Sequence, residues 1–183
     1  MKNFFNYSFF LVLLMSCGFS DNFTRDINLY ESTSNYLPRN FKKILICGTG
    51  DAATRLFVEK LSDKLNARFT SKSIEGGYLY LGDEGWAADS ALFQFRKEGT
   101  YDGYLFFFQK DLQTSASDQL LNSKKGKRNF DEFLGIKLFD AVKNNKQIWE
   151  ANLKVNSNLT DEKFYSDVSA IIIKRFSENK ILK

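Results

Sequence analysis

Few residues in this chain have types and spacing that could do chemistry. Gly48-Thr49-Gly50-Asp51 follows the apolar run Ile44-Leu45-Ile46-Cys47 and precedes a helical pattern. With Ala53 it spells G-x-G-x-x-A, the dinucleotide turn in which glycines let the backbone approach a pyrophosphate held at a helix N-terminus. Two features oppose a nucleotide here. Asp51 puts a carboxylate where the phosphate would lie, and Thr70, Ser71 and Lys72 stand where a strand-ending acid should hold the ribose. The same glycines also serve a tight strand-to-helix turn with no ligand at all. A nucleotide- or small-ligand-binding periplasmic enzyme built on residues 48–51 is therefore the alternative. Asp83, Glu84 and Asp89 lie near Trp86, the residue types of a glycoside-hydrolysing carboxylate pair, but nothing raises one carboxyl above another. The sequence has no histidine, so the usual near-neutral general base and the commonest zinc ligand are both missing. No catalytic residue, cofactor or metal is expected, and a non-enzymatic role follows.

The remaining reactive group is Cys17. Lys2 gives the N-terminus a positive start, and an apolar stretch of about twelve residues follows over 4–15. That is the length of a signal-peptide core and is short of the ~20 residues a membrane span needs. Leu14-Met15-Ser16-Cys17 closes it and resembles the lipobox of bacterial lipoproteins: an aliphatic residue, a small residue before the cysteine, then Cys. The resemblance implies a diacylglycerol thioether on Cys17, cleavage between Ser16 and Cys17, and acylation, such as by palmitate, of the new N-terminus. Two or three acyl chains, at about 0.8 kcal/mol per buried CH₂, hold a protein to a membrane permanently where one does not. Gly18, in place of the aspartate that retains lipoproteins in the inner membrane, points to the bacterial outer membrane. The periplasmic or surface face stays open.

The implied organisation is a signal peptide over residues 1–16, a lipid-anchored tether over 17–40, and an α/β domain over 41–183. The tether is polar and holds the single proline, Pro38; Phe23, Leu29 and Tyr30 could dock it on the domain. Cys47 ends an apolar run and fits a small core side chain, with a Cys17–Cys47 disulfide as the other possibility in an exported protein. Of 183 residues, 43% are hydrophobic and 26% charged, the composition of a folded chain. The 26 basic residues are opposed by 22 acidic ones, a mixed surface that excludes a nucleic-acid footprint. Lys124-Lys125-Gly126-Lys127-Arg128 is a solvated loop or a contact for anionic head groups.

The elements that would position these groups follow from hydrophobic periodicity. Residues 42–47 form a buried strand. Asp51 caps a helix whose stripe is Ala53, Phe57, Leu61 and Leu65. A second strand is expected over 69–73, a glycine-rich loop around Tyr78, and a second helix over 86–98. Residues 104–108 form an interior strand, and 111–129 a long loop. Leu134, Ile136 and Leu138, then Trp149, Ala151, Leu153 and Val155, alternate on either side of Asn144-Asn145, which predicts a β-hairpin. A last helix starts from Thr160 with Asp161 and Glu162 in its first turn. The expected architecture is one layered α/β domain: a mixed sheet of about five strands with a C-terminal hairpin, packed by three helices.

Four segments carry a wider resemblance. They are Lys42-Lys43-Ile44-Leu45-Ile46 leading to a helix with Arg55 and Glu59; Tyr101-Asp102-Gly103-Tyr104-Leu105; Leu138-Phe139-Asp140-Ala141 with Asn145-Lys146-Gln147-Ile148-Trp149-Glu150-Ala151; and a closing Asn179-Lys180-Ile181-Leu182. Across about residues 42–182 the chain resembles small bacterial envelope lipoproteins that share an α/β domain with the N-terminal domain of the Tol-Pal translocation protein and with the curli-secretion lipoprotein. The resemblance implies an envelope assembly or interaction module with a protein partner and no catalytic residues.

Overall fold

In the computed structural model, strands β1 (Ile27–Thr33), β2 (Lys43–Thr49), β3 (Glu75–Tyr80), β4 (Gly103–Gln109), β5 (Asn129–Asp140) and β6 (Lys146–Asn158) make one sheet in the order β1-β6-β5-β4-β2-β3. Helices α1 (Ala52–Thr70) and α2 (Glu162–Glu178) complete the described elements. The structure describes residues 27–33, 40–82, 95, 100–110, 129–158 and 160–182. The sheet is mixed: β2 runs parallel to β3 and β4, and the other pairs are antiparallel.

The two faces of the sheet bury different residues because side chains alternate along each strand. Ile44 and Ile46, Leu105 and Phe107, Leu134, Ile136 and Leu138 join Ala151, Leu153 and Val155 beneath the two helices. Leu45, Cys47, Tyr104, Phe106 and Phe139 form a second cluster on the opposite face. A register shift between Leu138 and Phe139 leaves Ile148 as an extra residue, so that both Ile148 and Trp149 are buried on the helical side. The β5–β6 connection turns through Asn144 and Asn145 at φ 62° and 55°, the left-handed region asparagine tolerates. Phe57 of α1 meets Phe164 and Tyr165 of α2 at ring distances of 6.2 and 5.5 Å, and Arg68 Nε donates to Ser169 Oγ at 2.8 Å.

Several sequence expectations are corrected. The tether stretch contains β1, whose seven residues pair with β6 and whose Leu29 packs on the core, so the sheet has six strands and the domain starts before residue 41. No strand covers 69–73: Phe69 extends the stripe of Leu61 and Leu65, is fully buried, and keeps the chain helical to Thr70. The strand is instead β3, in the stretch assigned to a loop. Its glycines are there for space, since a Cβ on Gly77 would lie 2.7 Å from the Tyr101 hydroxyl and one on Gly76 would overlap Asn66. The N-cap of α2 is Asp161, whose carboxylate accepts from the Lys163 and Phe164 N–H groups, one residue after Thr160. Of the three expected helices two are described; the one over 86–98 lies outside the described residues apart from Phe95, which is helical.

Tyr78 and Tyr165 are both pushed up to about 12, by burial first and then by nearby carboxylates, Glu59 for Tyr78 and Glu162 for Tyr165. An unfolded tyrosine titrates near 10, so the neutral phenols stabilise the fold fully below pH about 10, and that contribution is lost as pH rises to 12. Absorbance at 295 nm should therefore show Tyr78 and Tyr165 ionising late, together with loss of helical circular dichroism. Their ionising near pH 10 with the dichroism unchanged would contradict this packing.

Candidate functional site

The Gly48-Thr49-Gly50-Asp51 turn sits at the one place where parallel strands part. β2 lies between β3 and β4 and is parallel to both. The α1 crossover leads from β2 to β3, and the return from β3 to β4 moves the opposite way across the sheet. Right-handed crossovers put the two connections on opposite faces. Phe95, stacked on Tyr104 at 5.6 Å, lies on the face away from α1, as this requires. The carboxyl end of β2 is thus the topological switch point at which open α/β sheets place ligands.

The turn itself is largely committed to its own backbone. The Asp51 carboxylate accepts the Thr54 N–H at 2.8 Å, so the N-cap role expected from the sequence holds, and it takes a donor that a phosphate would need. Gly50 donates its N–H to the Gly82 carbonyl at 3.3 Å, and Leu81 donates to the Gly48 carbonyl at 2.9 Å. The Tyr80 hydroxyl donates to the Gly50 carbonyl, and the Arg55 guanidinium lies 5.1 Å from the centre of the Tyr80 ring. Gly50 adopts φ 137°, a conformation open to glycine alone. Thr49 is buried. Two groups are left over behind the turn: Thr54 Oγ1 and Tyr78 Oη are buried without a hydrogen-bond partner.

Cys47 is a free, fully buried thiol at the end of β2, and burial pushes its pKa up, which removes it as a nucleophile. Cys17 and the cleavage point expected between Ser16 and Cys17 lie outside the described residues, as do Asp83, Glu84 and Asp89 and the basic cluster 124–128. Among the described residues no group of three or more His, Cys, Asp or Glu is placed to hold a metal ion, and no helix is long and apolar enough to cross a membrane.

The segments that carry the family resemblance brace the fold. Asp102 accepts the backbone N–H groups of Lys42 and Lys43, both at 2.9 Å, tying the start of β2 to the start of β4. Asp140, fully buried, accepts the Val142 and Lys143 N–H groups at 3.0 and 3.2 Å and shapes the β5–β6 turn. Ile181 and Leu182 close the core beneath α2. Sequence inspection missed the switch point because it depends on where β3 lies, and a Gly-Gly strand start carries no apolar alternation to mark it.

No family model matches the chain, and no curated protein matches it. Solved structures with a similar course include a PelC dodecamer from Paraburkholderia phytofirmans, 12% identical, which covers 86% of this chain and 100% of that chain at a TM-score of 0.48. A variant PelC dodecamer from the same organism, also 12% identical, covers 84% and 98% at a TM-score of 0.46. A PDZ domain protein from Parabacteroides distasonis, 12% identical, covers 82% of this chain and 36% of its own at a TM-score of 0.40. Likenesses at this distance carry no argument about activity. The class defined by the described elements is a mixed α/β domain with one mixed sheet and two helices.

Proposed function

We propose that the chain is a lipoprotein of the bacterial outer membrane, anchored through lipid on Cys17, whose α/β domain binds another envelope protein and performs no chemistry of its own. The observation that carries this is Leu14-Met15-Ser16-Cys17 closing a short apolar leader. The resemblance to envelope lipoproteins with a domain like that of the Tol-Pal translocation protein supports it. So does the turn at residues 48–51, whose polar groups serve the backbone. A third helix over 86–98 completes the reading, covering the Leu45, Cys47, Tyr104 and Phe106 face on which Phe95 already packs. Strand addition suits the edge strand β3, where Leu79 is 38% exposed. Mass spectrometry of the native protein tests the anchor: an N-terminal peptide beginning at Cys17 and carrying acyl mass is expected, and an unmodified thiol or a retained leader would remove the proposal.

One observation favours the alternative of a periplasmic nucleotide- or small-ligand-binding enzyme at Gly48, Thr49, Gly50 and Asp51: the two orphaned hydroxyls of Thr54 and Tyr78 behind the turn. Tight binding raises the melting midpoint by mass action. A nucleotide panel that leaves the midpoint in place counts against it.

A further inference from the structure

We propose that the end of the sheet at which β2, β4 and β6 begin is a docking surface for an acidic face of a protein partner. The direction of this surface rests on the Cys17 anchor; its chemistry does not.

Five connections reach this end, and four of them carry an exposed lysine. Lys42 precedes β2, Lys72 lies in the turn from α1 to β3, Lys143 in the turn from β5 to β6, and Lys180 follows α2; Lys146, also exposed, opens β6. From β2 to β6 is three strand spacings, about 14 Å, so the lysines of the sheet edge share a patch of interface size. The acids at this end are already engaged. Both carboxylate oxygens of Asp102 accept from backbone N–H groups, Glu75 pairs with Lys43 at 2.8 Å, Glu178 with Arg175 at 3.0 Å, and Asp140 is fully buried. Among the described residues Lys43 offsets Glu75 and Arg175 offsets Glu178, which leaves five lysines against the carboxylates of Asp102 and Asp140, a positive balance.

Two features add recognition to charge. Val142, in the same turn as Lys143, is 68% exposed, and only it and Leu79 are exposed large hydrophobics among the described residues. An apolar side chain within a charged rim is the composition of a protein interface. Lys42 and Lys72 line one cleft of about 260 Å³, together with Asn40, Ser73 and the apolar Phe41, Ile74 and Leu182. Lysines act as point charges, and such groups set the approach and selectivity of a partner more than its affinity.

The course of the chain favours a protein over the chain's own bilayer. Ile27 pairs with Val155 near the close of β6, so β1 starts at the opposite end of the sheet. Nine residues, 18–26, separate Ile27 from Cys17. The anchor proposed at Cys17 thus attaches close to the far end of the sheet, opposite the lysines.

The test compares fluorescent poly-L-glutamate with dihexanoyl-phosphatidylglycerol, a water-soluble anionic lipid, as probes of the detergent-solubilised full chain. Lys42→Glu, Lys72→Glu, Lys143→Glu and Lys180→Glu together should weaken poly-L-glutamate binding by roughly tenfold or more at low salt. The matched set Lys64→Glu, Lys110→Glu, Lys154→Glu and Lys163→Glu should leave it within about twofold, because those lysines lie on other surfaces. Circular dichroism verifies that each folds; should the first set unfold, Lys72→Glu and Lys143→Glu alone must still weaken binding more than any control pair. Equal loss in both sets, or the lipid bound more tightly than the polypeptide through these same lysines, overturns the proposal. Binding in detergent fails or succeeds whether or not Cys17 carries lipid, which the mass of the N-terminal peptide reports separately.

Discussion

Replacing Trp149 with alanine is expected to lower the stability of the domain by about 3–5 kcal/mol. Trp149 is 1% exposed at the bulge in β6, opposite Leu138, and its ring meets the edge of Phe176 of α2 at 4.9 Å and 85°. It joins the sheet to the last helix, so its removal leaves a cavity that neither rigid neighbour can close. Domains of this size are stable by only about 5–15 kcal/mol, and a loss this large should be visible as a lower urea midpoint. Trp149→Phe, which keeps an aromatic ring in the same site, should recover much of the difference. A midpoint moved by less than the equivalent of about 1 kcal/mol would mean that α2 is not seated on β6 through this residue.

Gly50→Val should be the most damaging change at the switch-point turn. The backbone there has φ 137°, and a Cβ would lie 2.9 Å from Thr54 Cγ2, a buried side chain held by the first turn of α1. Backbone strain of about 1–3 kcal/mol adds to overpacking of about 1–3 kcal/mol. Gly48 provides the comparison. Its backbone is ordinary, and a Cβ would approach Val58 Cγ1 to only 3.1 Å, so Gly48→Ala should cost less. Thermal denaturation of the two variants side by side decides the matter, and equal costs would contradict the geometry of the turn. Should Gly50→Val instead fold normally, the carbonyl that accepts from Tyr80 would not be fixed as described.

Much of the architecture was legible because amphipathic patterns are local. The stripe of Phe57, Leu61 and Leu65, the Asp51 cap and the apolar runs of β2 and β4 were all evident in order of residues. β1 was not, because the alternation of Ile27 and Leu29 ends at once in Glu31, Ser32 and Thr33, and its pairing partner lies more than a hundred positions later; only the free edge of β6 makes a strand of it. β3 was hidden for the opposite reason. Gly76 and Gly77 look like loop residues until Asn66 and Tyr101, from two other elements, fill the space their side chains would take. The candidate turn was correctly placed, but the sequence could not show that its amides and carbonyls are spent on Gly82, Leu81 and Tyr80.

By itself the sequence determined the absence of histidine and the short apolar run that closes on Leu14-Met15-Ser16-Cys17. Both are matters of composition and adjacent residues, which need no fold to be read. Tertiary structure alone decided that four loops, from Lys42 to Lys180, bring their lysines to one end of the sheet, and that β1 begins at the other. Strand order and direction are global properties, set by which apolar faces can be buried together, and no local pattern encodes them.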